Sequence, residues 1–135
     1  MRKVYIPGVW DLFHIGHLNV IREAKKLGDF LFVGVCSDEI CIRTKGLPAI
    51  KEEWRLEVIE SIKYVDCGII YRDMDYYQTA KKLGADILAV GEDFGYLPEH
   101  RKAIDLCIEN GMDLVKIPRY SGISSTLIKE SIKQI

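Results

Sequence analysis

Several features that mark other protein classes are missing from this sequence. No apolar stretch approaches the roughly 20 residues that a membrane-spanning helix needs. The first four residues lead straight into a predicted strand, which leaves no room for a signal peptide. The formal net charge is only −1 at pH 7, so bulk electrostatic attraction to nucleic acid or to an acidic membrane is not expected. These absences predict a cytoplasmic protein that binds neither nucleic acid nor a membrane.

Metal-binding cysteine patterns are also missing. The four cysteines show no Cys-x-x-Cys spacing. Cys36, Cys67 and Cys107 fall inside predicted strands or a predicted helix, where a small buried thiol is usual. We therefore expect no zinc site and a reducing compartment.

Apolar runs alternate with helical patterns along the whole chain, and 135 residues are enough for one domain, residues 1–135. The predicted strands are Lys3–Ile6, Phe30–Cys36, Cys67–Tyr71, Asp86–Val90 and Asp113–Ile117. Their nearly continuous apolar character indicates a sheet covered on both faces. The predicted helices are His17–Leu27, Glu52–Lys63, Tyr76–Leu83, Pro98–Asn110 and Thr126–Gln134, with Gly28 as a cap of the first. This alternation predicts an α/β fold, a Rossmann-like, doubly wound parallel sheet of five strands with helices on both faces.

One extended loop, Arg43–Lys51, is predicted between the second strand and the next helix, because Gly46 and Pro48 interrupt regular structure. The loop carries Lys45 and Lys51. It is therefore either a solvated surface loop or a basic lid beside a phosphate site.

The loop after the first predicted strand has a composition suited to phosphate binding. Residues 8–17 are Gly-Val-Trp-Asp-Leu-Phe-His-Ile-Gly-His. A glycine loop that leads into a helix brings backbone N–H groups and a helix N-terminus up to a phosphate. His14 and His17 can donate hydrogen bonds to phosphate oxygens, and Gly16 lacks the Cβ that would hinder close approach. The alternative is two polar residues beside a helix cap, since short motifs alone are weak.

A second anion-binding pattern follows the fifth predicted strand. Gly122 permits a tight turn, Ser124 or Ser125 is expected to cap the final helix, and Arg119 adds a guanidinium. Such a set forms an anion cradle, although a plain cap beside an unrelated arginine is the alternative. Ligands bind beyond the carboxyl ends of parallel strands. Both loops and the segment Gly91-Glu92-Asp93 are therefore predicted to converge on one site.

Both patterns resemble signatures of a known family. Gly8-x-Trp10-Asp11-x-x-His14-x-Gly16-His17 resembles the GxFDxxHxGH signature of the cytidylyltransferase family, within the HxGH nucleotidyltransferase superfamily. The segment from Arg119 to Thr126 is similar to the family's RTEGISTT. Val33–Glu39, Lys45-Gly46 and Glu52-x-x-Arg55 match between them, so the likeness covers essentially the whole chain. The chain departs from the family in having Trp10 for phenylalanine and Tyr120-Ser121 for Thr-Glu.

The resemblance implies a reaction. The phosphate of a small phosphorylated alcohol, best guessed as glycerol 3-phosphate, attacks the α-phosphorus of CTP, and a CDP-alcohol and pyrophosphate form. It further implies Mg²⁺ as the companion of CTP, a homodimer, and a product that serves phospholipid or cell-surface polymer synthesis. A phosphate monoester is already ionised at neutral pH. The enzyme therefore has to position two polyanions and stabilise charge, without a strong base or a covalent intermediate.

The resemblance also assigns roles to residues. The expected catalytic residues are His14, His17, Lys45 and Arg119. The expected nucleotide-binding residues are Gly8, Trp10, Asp11, Gly16, Gly91, Glu92, Asp93, Gly122, Ile123, Ser124, Ser125 and Thr126. Asp11 orients a loop N–H, helps to place Mg²⁺, or only caps the loop. The expected acceptor-binding residues are Arg55, Tyr76 and Tyr77, although the tyrosines are otherwise expected to pack and the arginine to be a surface charge.

Three alternative functions stay open. The acceptor is alternatively phosphocholine or phosphoethanolamine. The enzyme is alternatively an adenylyltransferase of the same fold, of the sugar-phosphate or flavin type. A non-catalytic nucleotide-binding module is the third alternative, although intact His14, His17, Lys45 and Arg119 argue against it. A class I tRNA synthetase is excluded, because the chain is too short and lacks a KMSKS motif.

Overall fold

Within the residues that the structure describes, five strands and six helices position the candidate site. The computed structural model describes residues 1–119 and 125–133. The elements in chain order are β1 (Lys3–Gly8), α1 (Ile15–Lys25), β2 (Phe30–Cys36), α2 (Asp38–Thr44), α3 (Glu52–Glu60), β3 (Cys67–Tyr71), α4 (Tyr76–Lys82), β4 (Ile87–Gly91), α5 (Pro98–Asn110), β5 (Asp113–Ile117) and α6 (Ser125–Lys133).

The strands form one parallel sheet in the order β3-β2-β1-β4-β5. In the register of the sheet Val4 lies opposite Leu31 on one side of β1 and opposite Ile87 on the other. The chain first builds outward from β1 through β2 to β3 and then returns to β4 on the opposite side. The strand order therefore reverses between β1 and β4, where ligands of doubly wound sheets bind. The predicted fold class is confirmed.

Helices cover both faces of the sheet, and the central strands β1, β2 and β4 are mostly buried on both sides. Val4 and Ile6 lie on the face of the sheet that α1 and α3 cover. Tyr5 and Leu88 pack against the opposite face, together with Ala103 of α5. Because neighbouring strand residues are both buried, the sequence shows continuous apolar runs instead of an alternating pattern.

The structure differs from the predicted elements mainly between β2 and α3. An unpredicted helix, α2, begins after Ser37, whose hydroxyl accepts a hydrogen bond from the N–H of Ile40 at 3.3 Å. The predicted extended loop is therefore confined to residues 45–51. Gly28 also has a different role from the predicted helix cap, since α1 ends at Lys25. A Cβ on Gly28 would lie 2.6 Å from the carbonyl oxygen of Arg2, so glycine is needed for close backbone packing. Within the described part of the chain, no helix is long and apolar enough to cross a membrane.

Candidate active site at the carboxyl ends of the strands

A cavity of about 530 Å³ opens at the carboxyl ends of the strands, where the strand order reverses. It has two sides, which we call the α1 side (Trp10, Asp11, His14 and His17) and the α5 side (Tyr76, Phe94, Tyr96, Leu97 and His100). The predicted site residues that line it are Gly8, Trp10, Asp11, His14, Gly16, His17, Lys45, Tyr76, Gly91, Glu92, Asp93, Arg119 and Thr126. Loops distant in sequence therefore converge here, as the sequence predicts.

The two histidines of the α1 side are held by the backbone of their own helix start. Nδ1 of His14 accepts a hydrogen bond from the N–H of Gly16 at 3.0 Å, and Nδ1 of His17 accepts one from the N–H of His14 at 3.2 Å. The rings are stacked, with centroids 3.9 Å apart. Because each Nδ1 is an acceptor, the proton of each neutral ring lies on Nε2. The geometry thus gives two Nε2–H donors, while the N–H groups of His14 and Gly16 are engaged by the imidazoles.

The histidines are poised as neutral donors at pH 7. Burial lowers the pKa of His14. Burial and the neighbouring His14 lower the pKa of His17 to about 4, against an opposing contribution from Asp11. The Nε2 atom of His14 is buried and finds no hydrogen-bond partner among the described residues. A buried polar atom without a partner is costly unless a ligand satisfies it, so this atom is suited to a bound oxygen.

Trp10 packs against the His17 ring and is itself anchored to β2. Its ring nitrogen donates a hydrogen bond to the carbonyl oxygen of Gly34 at 2.9 Å, and its ring meets His17 edge-on with centroids 5.7 Å apart. Trp10 adopts φ of 59°, an unusual value for a residue with a side chain. A Cβ on Gly8 would lie 2.6 Å from the Trp10 ring. Gly8 is therefore needed to leave space for the Trp10 ring, whether or not Gly8 also contacts a nucleotide.

Asp11 orients the neighbouring loop. Its carboxylate accepts hydrogen bonds from the N–H groups of Ala49 and Ile50 at 2.8 and 3.0 Å, and it pairs with Lys129 of α6 at 2.9 Å. Burial alone raises the pKa of Asp11, but these hydrogen bonds and the Lys129 charge bring the pKa below its ordinary value. Of the expected roles, loop orientation is the one this geometry shows. Lys129 lines the cavity and was missed in the sequence, because a lysine in a helix gives no local signal of an ion pair with a distant loop.

Arg55 lies beneath the cavity instead of in it. Only 1% of its side chain is exposed. Its guanidinium donates to the carbonyl oxygens of Val9, Cys36 and Ile50 at 2.7–2.8 Å and to the carboxylate of Asp38 at 2.6 Å. These bonds join the loops after β1 and β2 to the segment before α3. Arg55 is thus neither a surface charge nor a residue of the cavity lining, contrary to its expected acceptor contact, and it acts as a positioning residue.

The cations of the site lie in exposed positions. Lys45 lies just after α2 and is exposed at the cavity. Arg119 pairs with the carboxylate of Asp93, and its backbone N–H donates to Glu92 at 2.8 Å. The Arg119 and Asp93 side chains are about 60% exposed, so the pair is weak and a polyanion can compete for the guanidinium. The carboxylates that line the cavity, Asp11, Glu92 and Asp93, are therefore already engaged by protein donors.

The α5 side is aromatic. Tyr76 meets Phe94 edge-on with ring centroids 5.3 Å apart, and Phe94 stacks on His100 with centroids 4.1 Å apart. Tyr76 lines the cavity, whereas Tyr77 is buried outside the cavity lining, where it packs against the core, contrary to its expected acceptor contact. His100 also lines the cavity, although its sequence context predicts no role for it. Only its place in the fold brings it there, because nothing in its local sequence resembles a binding motif.

Two cysteines also line the cavity, Cys36 at the end of β2 and Cys41 in α2. Both are buried, and a hydrogen bond between the thiols lowers the pKa of Cys36 to about 7 and raises the pKa of Cys41. Tyr71 and Arg55 further lower the pKa of Cys36. Cys36 is therefore more acidic than the inert buried thiol that the sequence suggests.

Part of the predicted site lies outside the described residues. This applies to Gly122, Ile123 and Ser124 and to the side chain of Ser125. The predicted anion cradle therefore stays a prediction, although Arg119 and the exposed Thr126 line the cavity. Over residues 1–119 and 125–133, no three side chains of His, Cys, Asp or Glu form a group that could hold a metal ion.

A comparison with known protein families gives the same assignment as the geometry of the site. Residues 5–131 match the family described as cytidylyltransferase-like. The chain belongs to this cytidylyltransferase-like family. A probable ethanolamine-phosphate cytidylyltransferase of Encephalitozoon cuniculi is 42% identical over 96 residues, which cover 69% of this chain but only 29% of that protein. An FAD synthase of Methanocorpusculum labreanum is 30% identical over 139 residues, which cover 99% of this chain and 98% of that one.

A solved structure of similar fold supports the same assignment. The crystal structure of the lipopolysaccharide core biosynthesis protein from Thermoplasma volcanium has a TM-score of 0.78 and 31% identity, and the match covers 90% of this chain and 99% of that one. This cytidylyltransferase-like chain therefore shares its nucleotidyltransferase fold with proteins that are named for different functions. The fold alone does not select the nucleotide or the acceptor.

Proposed function

We propose that this chain transfers CMP from CTP to the phosphate of a small phosphorylated alcohol, with glycerol 3-phosphate as the best candidate. The observation that carries the proposal is the pair of stacked, neutral histidines that line one cavity together with Lys45 and Arg119. Oriented N–H donors and exposed cations suit a triphosphate, and they supply charge stabilisation without a protein nucleophile.

The chemistry follows from these donors. A phosphate oxygen of the acceptor attacks the α-phosphorus, the bond from that phosphorus to the bridging oxygen breaks, and pyrophosphate leaves with the electron pair. His14 and His17 donate to phosphate oxygens as charge accumulates there, and Lys45 and Arg119 neutralise the leaving group. Neutral imidazoles donate without first gaining a proton, so this role persists at pH values well above the histidine pKa values.

Mg²⁺ is proposed as the companion of CTP. Magnesium in such sites is held largely by phosphate oxygens and water, with only one or two protein carboxylates. A magnesium ion held mainly by phosphate and water suits this cavity, because the Asp11 carboxylate already accepts hydrogen bonds from two loop N–H groups and pairs with Lys129. The ion would therefore be held mainly by the nucleotide phosphates, where it would offset the charge of the triphosphate.

Transfer of AMP from ATP to the phosphate of a flavin is the second candidate. The match to FAD synthases over nearly the whole length of both chains favours it. The aromatic walls of the α5 side also offer flat surfaces on which a ring system can stack. The GxWDxxHxGH motif and the 42% identity over 96 residues to the ethanolamine-phosphate cytidylyltransferase support CMP transfer.

Pyrophosphate release with CTP or ATP, in the presence of Mg²⁺, tests both candidates. The acceptors are glycerol 3-phosphate, phosphocholine, phosphoethanolamine, a sugar phosphate and riboflavin 5′-phosphate. Release with CTP and glycerol 3-phosphate is expected, and His17→Ala should lower it at least ~100-fold while the protein stays folded. Release only with ATP and the flavin would replace the first candidate by the second. Nucleotide binding without release for any acceptor would favour the binding-module alternative.

A further inference from the structure

All three histidines of the chain line one cavity, and all three are held in the same way. Like His14 and His17, His100 turns its Nδ1 to the backbone, where it accepts hydrogen bonds from the N–H of Gly95 at 3.1 Å and more weakly from that of Leu97 at 3.5 Å. The neutral ring therefore carries its proton on Nε2. No described residue accepts a hydrogen bond from that Nε2–H.

His100 approaches the cavity from the opposite face of the sheet. Helix α1, which carries His14 and His17, packs with the α3 face, whereas α5, which carries His100, packs with the α4 face. The α1 histidines are assigned to the triphosphate under the proposed function. Two substrates must meet across the cavity for the phosphoryl oxygen to reach the α-phosphorus. The second substrate is then the one placed against the α5 side.

The His100 ring is fixed as firmly as the catalytic pair. It is only 7% exposed, stacks on Phe94 at 4.1 Å, and meets Tyr96 edge-on at 5.0 Å. Burial lowers the pKa of His100, and the positive charges of Lys45 and Arg101 lower it further against Glu99. His100 is therefore a neutral hydrogen-bond donor whose ring is held in place by its neighbours before any ligand binds. The charge of Lys45 acts on its pKa.

We propose that His100 is a substrate-contacting residue whose Nε2–H donates to an oxygen of the acceptor's alcohol portion, and that it selects hydroxyl-bearing acceptors over ammonium-bearing ones. A neutral N–H donor matches a hydroxyl oxygen and repels an ammonium group. Asp11, the buried carboxylate of the described cavity lining, is already engaged by Lys129 and two loop N–H groups, so it is not available to an ammonium. This inference rests on the proposed transfer reaction.

Two substitutions separate contact from structural support. His100→Asn keeps an acceptor near the Nδ1 position for the loop N–H groups but removes the donor at Nε2. His100→Gln keeps a donor near Nε2 but loses the loop acceptor. A single hydrogen bond to substrate corresponds to about tenfold in affinity. We expect His100→Asn to raise KM for glycerol 3-phosphate about tenfold, with KM for CTP and kcat within about twofold of the parent.

An analogue without hydroxyls sharpens the test. The parent enzyme should prefer glycerol 3-phosphate to propyl phosphate, and His100→Asn should lose most of that preference. His100→Gln should keep it while melting at a lower temperature. An unchanged acceptor KM in His100→Asn, a KM effect in His100→Gln alone, or a parent enzyme that prefers phosphoethanolamine would overturn the proposal.

Histidine-ring ¹H–¹⁵N spectra separate this proposal from the proposed reaction, because they need no turnover. At pH 7 the three rings should show the Nε2–H form. CTP alone should shift the His14 and His17 signals, and glycerol 3-phosphate added to the CTP complex should shift His100. A His100 signal that responds to CTP alone, or to no acceptor, would refute the contact. Loss of pyrophosphate release with a normal His100 response would instead refute the reaction.

Discussion

The two sides of the cavity fix their histidines by similar bonds but build them from different stretches of sequence. On the α1 side, His14 and His17 stack at 3.9 Å and lie three positions apart in one motif. On the α5 side, His100 stacks on Phe94 at 4.1 Å, and Tyr76 meets that Phe94 edge-on from a different helix. One side is a local motif held by directional hydrogen bonds. The other is an aromatic cluster that only the assembled sheet brings together.

The largest expected effect breaks the support of the α1 side. Arg55→Ala removes four hydrogen bonds to buried carbonyl groups and to Asp38. Breaking a buried ion pair costs about 3–5 kcal/mol, so we expect urea denaturation to show a loss of that size in the free energy of unfolding.

Arg72→Ala is the matched control for Arg55. Arg72 also pairs with a carboxylate, that of Glu52 at 2.9 Å, but its side chain is 68% exposed. Exposed pairs contribute at most about 1 kcal/mol. Equal losses in the two variants would show that the buried arginine does not hold the loops of the site together.

The next effect concerns rate and leaves stability nearly unchanged. His14→Asn and His17→Asn retain an acceptor near Nδ1 for the helix-start N–H but lack the Nε2–H donor. Loss of one charge-stabilising donor typically lowers kcat by ~10²–10³, and melting temperatures should stay close to that of the parent. If His14→Gln, which keeps the donor but weakens the cap, is the less active variant, the histidines are structural caps and the proposed role is wrong.

The pH dependence of stability should also come largely from the α1 side. The pKa of His17 is lowered from 6.5 to about 4 in the folded chain. The contribution of neutral His17 to the free energy of unfolding is therefore complete above pH 6.5. It declines as the pH falls, because the unfolded chain takes up the proton first, and it is lost below about pH 4. Because one pKa unit is worth about 1.4 kcal/mol and the ring is partly exposed, the loss should reach about 2–3 kcal/mol.

His17→Asn isolates this contribution. The variant has no imidazole at that position, so its free energy of unfolding should rise relative to that of the parent as the pH falls from 6.5 towards 4.5. The free energies come from urea denaturation at each pH without nucleotide. A constant difference across this range would mean that His17 titrates normally in the folded chain.

The two sides also explain how far the sequence could predict this site. Residues 8–17 are contiguous, so their motif located the α1 side, and strand periodicity placed it at a sheet edge. The buried position of Arg55 could not be predicted, because its acceptors are carbonyl groups on three separate segments. Lys129 pairs with Asp11, 118 residues away, and His100 lines the cavity only once the sheet has assembled, so neither role has a local sequence signal.

The smallest effect concerns Gly34, which touches both sides. Its carbonyl oxygen accepts the Trp10 hydrogen bond of the α1 side, and a Cβ on it would lie 2.3 Å from the Tyr5 hydroxyl beneath the α5 side. Overpacking costs about 1–3 kcal/mol, which is the loss expected for Gly34→Ala. Tyr5→Phe removes a hydroxyl that finds no partner within the described residues. It should therefore change stability by less than about 1 kcal/mol, in the stabilising direction.

The double variant decides whether the two sides meet at this glycine. Removing the hydroxyl takes away the closest of the clashing atoms but leaves ring atoms 2.9 Å from the added Cβ. Gly34→Ala should therefore cost less in the Tyr5→Phe background, by at least about 0.5 kcal/mol in urea denaturation. Strict additivity would mean that the strand moves away from the Tyr5 ring. In that case Trp10 and the histidines it supports would shift with the strand, and activity would fall in both backgrounds equally.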